Sequence, residues 1–90
     1  MDTIDTVKEM PIGTKEFELP SGKKVVIYPG KGFHSNRAMK ECEGDTSRYI
    51  VCFMALLVEI DGKKVTSEDL EDLSSKEYMK LQTEFSEANF

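Results

Sequence analysis

The chain has 90 residues, of which 39% are apolar and 32% charged, with only three prolines. That length makes one small domain, and a chain of this size buries only a little more than roughly 60% of its unfolded surface. The formal net charge of −5 is concentrated at one end: residues 66–90 carry seven acidic side chains against Lys76 and Lys80, while residues 1–65 balance. Affinity for nucleic acid comes largely from cations on phosphates, so this acidic balance argues against a nucleic-acid partner. A smaller basic region lies at Lys23, Lys24, Lys31, Arg37 and Lys40. Cys42 and Cys52 are ten positions apart with no CxxC pattern, which gives no disulfide framework and no metal-ligand set. The start, Met1-Asp2-Thr3-Ile4-Asp5, lacks the basic and apolar regions of a signal peptide, so a reducing cytoplasmic setting is expected.

Residues 1–14 show no sustained period and are interrupted by Pro11 and Gly13, so they read as a flexible N-terminal arm ahead of a single domain over 15–90. Residues 15–28 read as a β-hairpin. Phe17 and Leu19 alternate with Glu16 and Glu18, Pro20-Ser21-Gly22 supplies the turn, and Lys24–Tyr28 is the β-branched return strand. Gly30-Lys31-Gly32 lacks the full phosphate-loop pattern and reads as a flexible joint into a helix over 34–43, with Ser35 as its N-cap and Gly44 at its end. Asp45 or Thr46 then caps a second helix that runs to Val58 or Glu59. Asp61-Gly62 marks a tight turn, followed by a short extended piece at Lys63-Lys64-Val65. Two capping-box spacings follow: Thr66 with Asp69, stapled by Val65 and Leu70, and Ser74 with Glu77, stapled by Leu73 and Tyr78. The last helix is amphipathic and places Tyr78, Leu81 and Phe85 on one face. The expected fold class is α+β: an N-terminal hairpin followed by about four short helices packed as a small helical domain.

Catalytic equipment is sparse. His34 is the only histidine, and no motif joins it to Ser35 or Cys42. A surface or capping role is expected for it. The acidic string Glu68-Asp69-Glu71-Asp72 lacks the alternating ligands and central glycine of a calcium loop, and acids in a helix's first turn are explained by its positive end. No enzyme activity, metal or cofactor is expected.

The dominant feature is Tyr49–Val58, ten apolar residues in a row. The run is too short to cross a bilayer, which needs about 20 apolar residues. Its methionine, alanine and leucine content favours a helix, and a helix apolar on every side must be covered on every side. Either the rest of the domain wraps it as a core helix, or one stripe holds the fold and the other accepts a partner. Helical spacing nominates Ile50, Phe53, Met54, Leu57, Tyr78, Leu81 and Phe85 as the lining of an apolar partner-binding groove. The excess of apolar surface also predicts a homo-oligomer.

The ordered pieces Leu19-Pro20-Ser21-Gly22-Lys23, Pro29-Gly30-Lys31-Gly32, Gly44-Asp45 and Ile60-Asp61-Gly62-Lys63-Lys64-Val65-Thr66, then Glu68-Asp69-Leu70 and Glu77-Tyr78-Met79-Lys80-Leu81-Gln82, span residues 16–85. In this order and spacing the chain resembles the small tail assembly chaperones of Mu-like contractile-tailed bacteriophages. The resemblance implies a non-enzymatic protein of the bacterial host cytoplasm. Its client would be the tape-measure protein, whose apolar helices it keeps soluble during tail assembly, with the tail-tube protein as a further candidate partner. A structural tail or baseplate subunit of the phage particle is the alternative, since a hairpin can add strands to a neighbouring sheet.

Overall fold

The computed structural model describes residues 11–90. Of the arm expected over 1–14, residues 1–10 lie outside the described residues. Residues 11–14 form a turn, in which the Thr14 N–H and hydroxyl donate to the Pro11 carbonyl at 3.1 and 2.7 Å. Strand β1 (Lys15–Glu18) then pairs antiparallel with β2 (Lys24–Ile27), in the register Lys15↔Ile27 to Glu18↔Lys24. The hairpin loop closes where the Leu19 N–H donates to the Lys23 carbonyl at 2.9 Å and the Gly22 N–H to the Leu19 carbonyl at 2.8 Å. Gly22 has φ +94°, a conformation that costs an L side chain dearly.

Helix α1 (Gly32–Glu41) follows, then a 3₁₀ turn (Thr46–Arg48) and α2 (Tyr49–Leu57). The helix expected to reach Val58 or Glu59 stops at Leu57. Val58–Ile60 is instead strand β3, paired with β2 through Val25↔Ile60 and Ile27↔Val58. The apolar run hid this change, because periodicity alone does not separate a buried helix from a buried strand. The strand satisfies the backbone groups on the second edge of β2, which sits over the buried core. Asp61 and Gly62, at φ 52° and 79°, turn β3 into the two-residue strand β4 (Lys63–Lys64). Positive φ at both turn positions suits the twist of a two-residue hairpin. The expected hairpin is thus half of a four-stranded antiparallel sheet in the order β1-β2-β3-β4. Helices α3 (Ser67–Glu71) and α4 (Ser75–Asn89) complete an α+β domain with four α-helices among the described residues.

Val25, Ile27 and Val58 share the sheet face that is buried under the helices. The other face carries Glu16 and Lys64, which are exposed, and Val26 and Glu59, which are half-buried. Helix α2 is the centre of the core. Val51, Cys52, Phe53, Met54 and Leu57 are all buried, with Ala38 and Cys42 on one side and Leu70, Leu81 and Phe85 on the others. The Phe53 ring meets Tyr49 at 5.6 Å and Phe85 at 5.3 Å between centroids, the latter edge to face.

The caps read from sequence divide into local successes and long-range surprises. Thr66 and Asp69 form both bonds of a capping box: Thr66 Oγ1 accepts from the Asp69 N–H at 3.1 Å, and Asp69 Oδ2 from the Thr66 N–H at 3.0 Å. Asp45, not Thr46, caps the 3₁₀ turn by accepting from the Ser47 N–H. Helix α1 begins earlier than expected, with Lys31 rather than Ser35 at its N-cap. The Ser35 hydroxyl is instead bonded to the Tyr49 hydroxyl, which ties α1 to α2.

The joint expected to be flexible is packed at Gly30, while Lys31 and Gly32 are exposed. The Gly30 N–H donates to Asn89 Oδ1 at 2.7 Å, and Asn89 Nδ2 reaches the Tyr28 carbonyl at 3.5 Å, so the end of α4 is clamped to the end of β2. A Cβ on Gly30 would lie 2.7 Å from Leu57 Cδ1 and 3.3 Å from the Phe53 ring. Gly30→Ala is therefore expected to lose roughly 1–3 kcal/mol through overpacking, as a lower urea midpoint with an unchanged slope.

Candidate functional site

The seven residues nominated as a groove lining are brought together, but five of them form the core. Met54, Leu81 and Phe85 are 0% exposed, Leu57 4% and Phe53 5%. Only Ile50 and Tyr78 keep partly open side chains. The groove nominated from sequence is thus corrected to an interior: the helical stripe was identified, but α4, α3 and the sheet supply its cover.

What α2 leaves open is its opposite side. Ala55 and Leu56 are half-buried and stand between two shallow depressions. The first, of about 360 Å³, continues from them to Cys52, Val65 and Thr66, with Arg48 and Glu41 at its rim. The second, of about 260 Å³, runs to Tyr28, Pro29, His34 and Val58. A third depression, of about 390 Å³, joins Leu73, Tyr78 and Met79 beside Glu71. Met79 is 65% exposed, so this patch adds apolar surface at the start of α4. The rim of the first depression is held in place by Arg48, whose guanidinium donates to Ser67 Oγ at 3.2 Å and Glu71 Oε1 at 3.3 Å.

Neither His34 nor the cysteines are arranged for catalysis. His34 Nδ1 accepts from the Lys31 N–H at 2.9 Å, and its ring lies against Phe33 at 4.1 Å. The histidine therefore caps the first turn of α1, the role its isolation in the sequence suggested. Cys42 and Cys52 are buried free thiols. Burial pushes the Cys52 thiol up, which disfavours the reactive thiolate. Among the described residues no three histidine, cysteine or acidic side chains meet in a metal-binding arrangement. No helix of these residues is long and apolar enough to cross a membrane.

Glu77 was expected to return to its own helix cap. The Ser74 hydroxyl does accept from the Glu77 N–H at 3.2 Å, but the carboxylate crosses to the hairpin and accepts the Ser21 N–H at 2.9 Å. Glu77 is the one buried charged residue, at 7% exposure among the described residues. The hydrogen bonds from Ser21 hold its pKa below the usual glutamate value of 4.5. Lys15 and Lys80 do the same for Glu84. A group whose pKa is lowered on folding contributes stability above its unfolded value, and that contribution is lost as pH falls through the folded value. Stability should therefore fall on acidification below about pH 4.5. The double variant Glu77→Gln, Glu84→Gln should start less stable at pH 7 and show a flatter acid limb, read from urea midpoints across pH.

No family model, curated protein or solved structure matches this chain. The site is therefore read from its own chemistry: a small scaffold with a largely enclosed apolar helix, a half-buried apolar strip at Ala55–Leu56, further apolar side chains exposed at Phe33, Met39, Met79 and Phe90, and a strongly charged remainder.

Proposed function

We propose that the protein is a phage or prophage tail assembly chaperone. It acts in the cytoplasm of the bacterial host, where it binds apolar helices of the tape-measure protein and keeps them soluble until the tail tube forms around them. The observation that carries this reading is the half-buried strip of Ala55 and Leu56 between two depressions, the first of which Val65 also lines. A helix-in-groove client needs such a strip, lined by small and branched apolar side chains with charges at the rim. The order of motifs over residues 16–85, which resembles that chaperone family, supports the same reading. The acidic excess of residues 66–90 keeps a protein that offers apolar surface from aggregating. The role is non-enzymatic, and a homo-oligomer would cover the strip while no client is bound.

Co-expression with the tape-measure protein encoded beside its gene should yield a complex that purifies together. A tape-measure protein that is equally soluble and intact without this chain would end the proposal. The outer edge of β1, which no strand pairs among the described residues, favours a second reading, a structural tail or baseplate subunit that adds a strand to its neighbour. Mass spectrometry of purified virions separates the two, since the chaperone is absent from finished particles and a subunit is abundant.

A further inference from the structure

We infer that the outer edge of β1 is a docking site for an extended, basic segment of another polypeptide, added antiparallel to the sheet. The phase of the β1–β2 ladder sets this up. The Leu19 N–H bonds inward to Lys23, and hydrogen-bonded pairs alternate along an antiparallel ladder, so Phe17 and Lys15 also bond inward. The backbone N–H and C=O of Glu16 and Glu18 consequently point away from β2, and no backbone partner meets them among the described residues. The edge offers two donors and two acceptors at the spacing a further strand requires.

The same two residues decide what kind of strand fits. Both glutamate side chains are exposed, on the sheet face opposite the buried Val25 and Ile27. Neither forms an ion pair among the described residues. They border a concavity of about 740 Å³ that also includes the Asp61 carboxylate, against the single amine of Lys24. Residues directly opposite in a ladder share a face, so a strand hydrogen-bonded to Glu16 and Glu18 sets its own alternate side chains beside two carboxylates. Lysine or arginine at those positions is stabilising, and an apolar residue between them falls opposite Phe17. A second copy of this chain is a poor occupant. Two-fold pairing of β1 with itself sets carboxylate against carboxylate, and like charges directly opposite are destabilising.

The test uses the full chain and a peptide of about ten residues alternating lysine and valine, with a glutamate–valine peptide as control. Fluorescence anisotropy at low salt should show the basic peptide binding at least about tenfold more tightly than the acidic one. Glu16→Lys with Glu18→Lys, both at exposed positions, should weaken the basic peptide by about tenfold. Amide hydrogen exchange in the wild-type protein supplies the backbone readout: the Glu16 and Glu18 amides should exchange rapidly alone and slowly with peptide. Amides that stay fast at saturating peptide would mean diffuse charge attraction and would overturn the inference. So would amides already protected in the free protein, whether by its own chain or by a second copy.

Discussion

Phe85→Ala is expected to remove roughly 3–5 kcal/mol of folding stability, the usual cost of emptying a phenylalanine site in a core. Its ring is fully buried and meets Phe53 edge to face at 5.3 Å, a direct aromatic link between α4 and α2. The aromatic geometry adds to the area term, since the positive ring edge meets a negative ring face. A domain of this class has only about 5–15 kcal/mol in total, so the variant should unfold at a much lower urea concentration and populate unfolded chains at physiological temperature. Had Phe85 lined an open groove, as helical spacing suggested, its truncation would have left stability nearly unchanged.

Met54→Ala is the second large effect, at roughly 2–5 kcal/mol. Met54 is 0% exposed on the helix that every other layer packs around. Collapse around the missing atoms is limited because the sheet and the surrounding helices hold α2 from several sides, so the upper part of the range is expected. Urea titration with an unchanged slope would show that the loss lies in the native packing and not in the compactness of the unfolded chain. Met54→Leu, which conserves most of the volume, should recover most of the difference and cost under about 1.5 kcal/mol.

Much local chemistry was legible in the sequence where its partners lie three or four residues apart, although Ser35 is not the cap of α1 and the Glu77 carboxylate does not return to Ser74. The Thr66–Asp69 box forms in full, the Ser74 cap forms, and the isolated His34 caps α1. Contacts between distant segments were not legible. Nothing in the local pattern sends the Glu77 carboxylate to Ser21 or Asn89 to Gly30, because those pairings are created by the way α4 lies along the hairpin. The glycine after Pro29 was visible, but not that Leu57 and Phe53 crowd it. Asp61-Gly62 carried more information than a turn alone. As a two-residue hairpin loop it implies a strand on each side, which places Val58–Ile60 in the sheet and ends the helix at Leu57.

The candidate site shows the same division. Periodicity sorted the apolar side chains by helix face, and the face containing Phe53, Met54 and Leu57 is indeed continuous with Leu81 and Phe85. Spacing says nothing of what covers a face, and here the chain covers that one itself. Ala55 and Leu56 remain half-buried on α2, bordered by Val65 in one depression and Tyr28 in the other. Their partial exposure, shared with Tyr49 and Ile50, leaves four of the ten residues of the apolar run incompletely enclosed, as expected of so small a domain.

The account rests on Leu56 being a contact for a partner rather than a member of the core, and one comparison tests that directly. Leu56→Lys keeps a strong helix former at a half-buried position, so its urea midpoint should stay within about 1 kcal/mol of wild type. Its ability to hold the tape-measure protein in solution during co-expression should fall by about tenfold or more, as expected when a charge replaces an apolar anchor. A Leu56→Lys protein that is folded and retains the client as well as wild type would contradict the account.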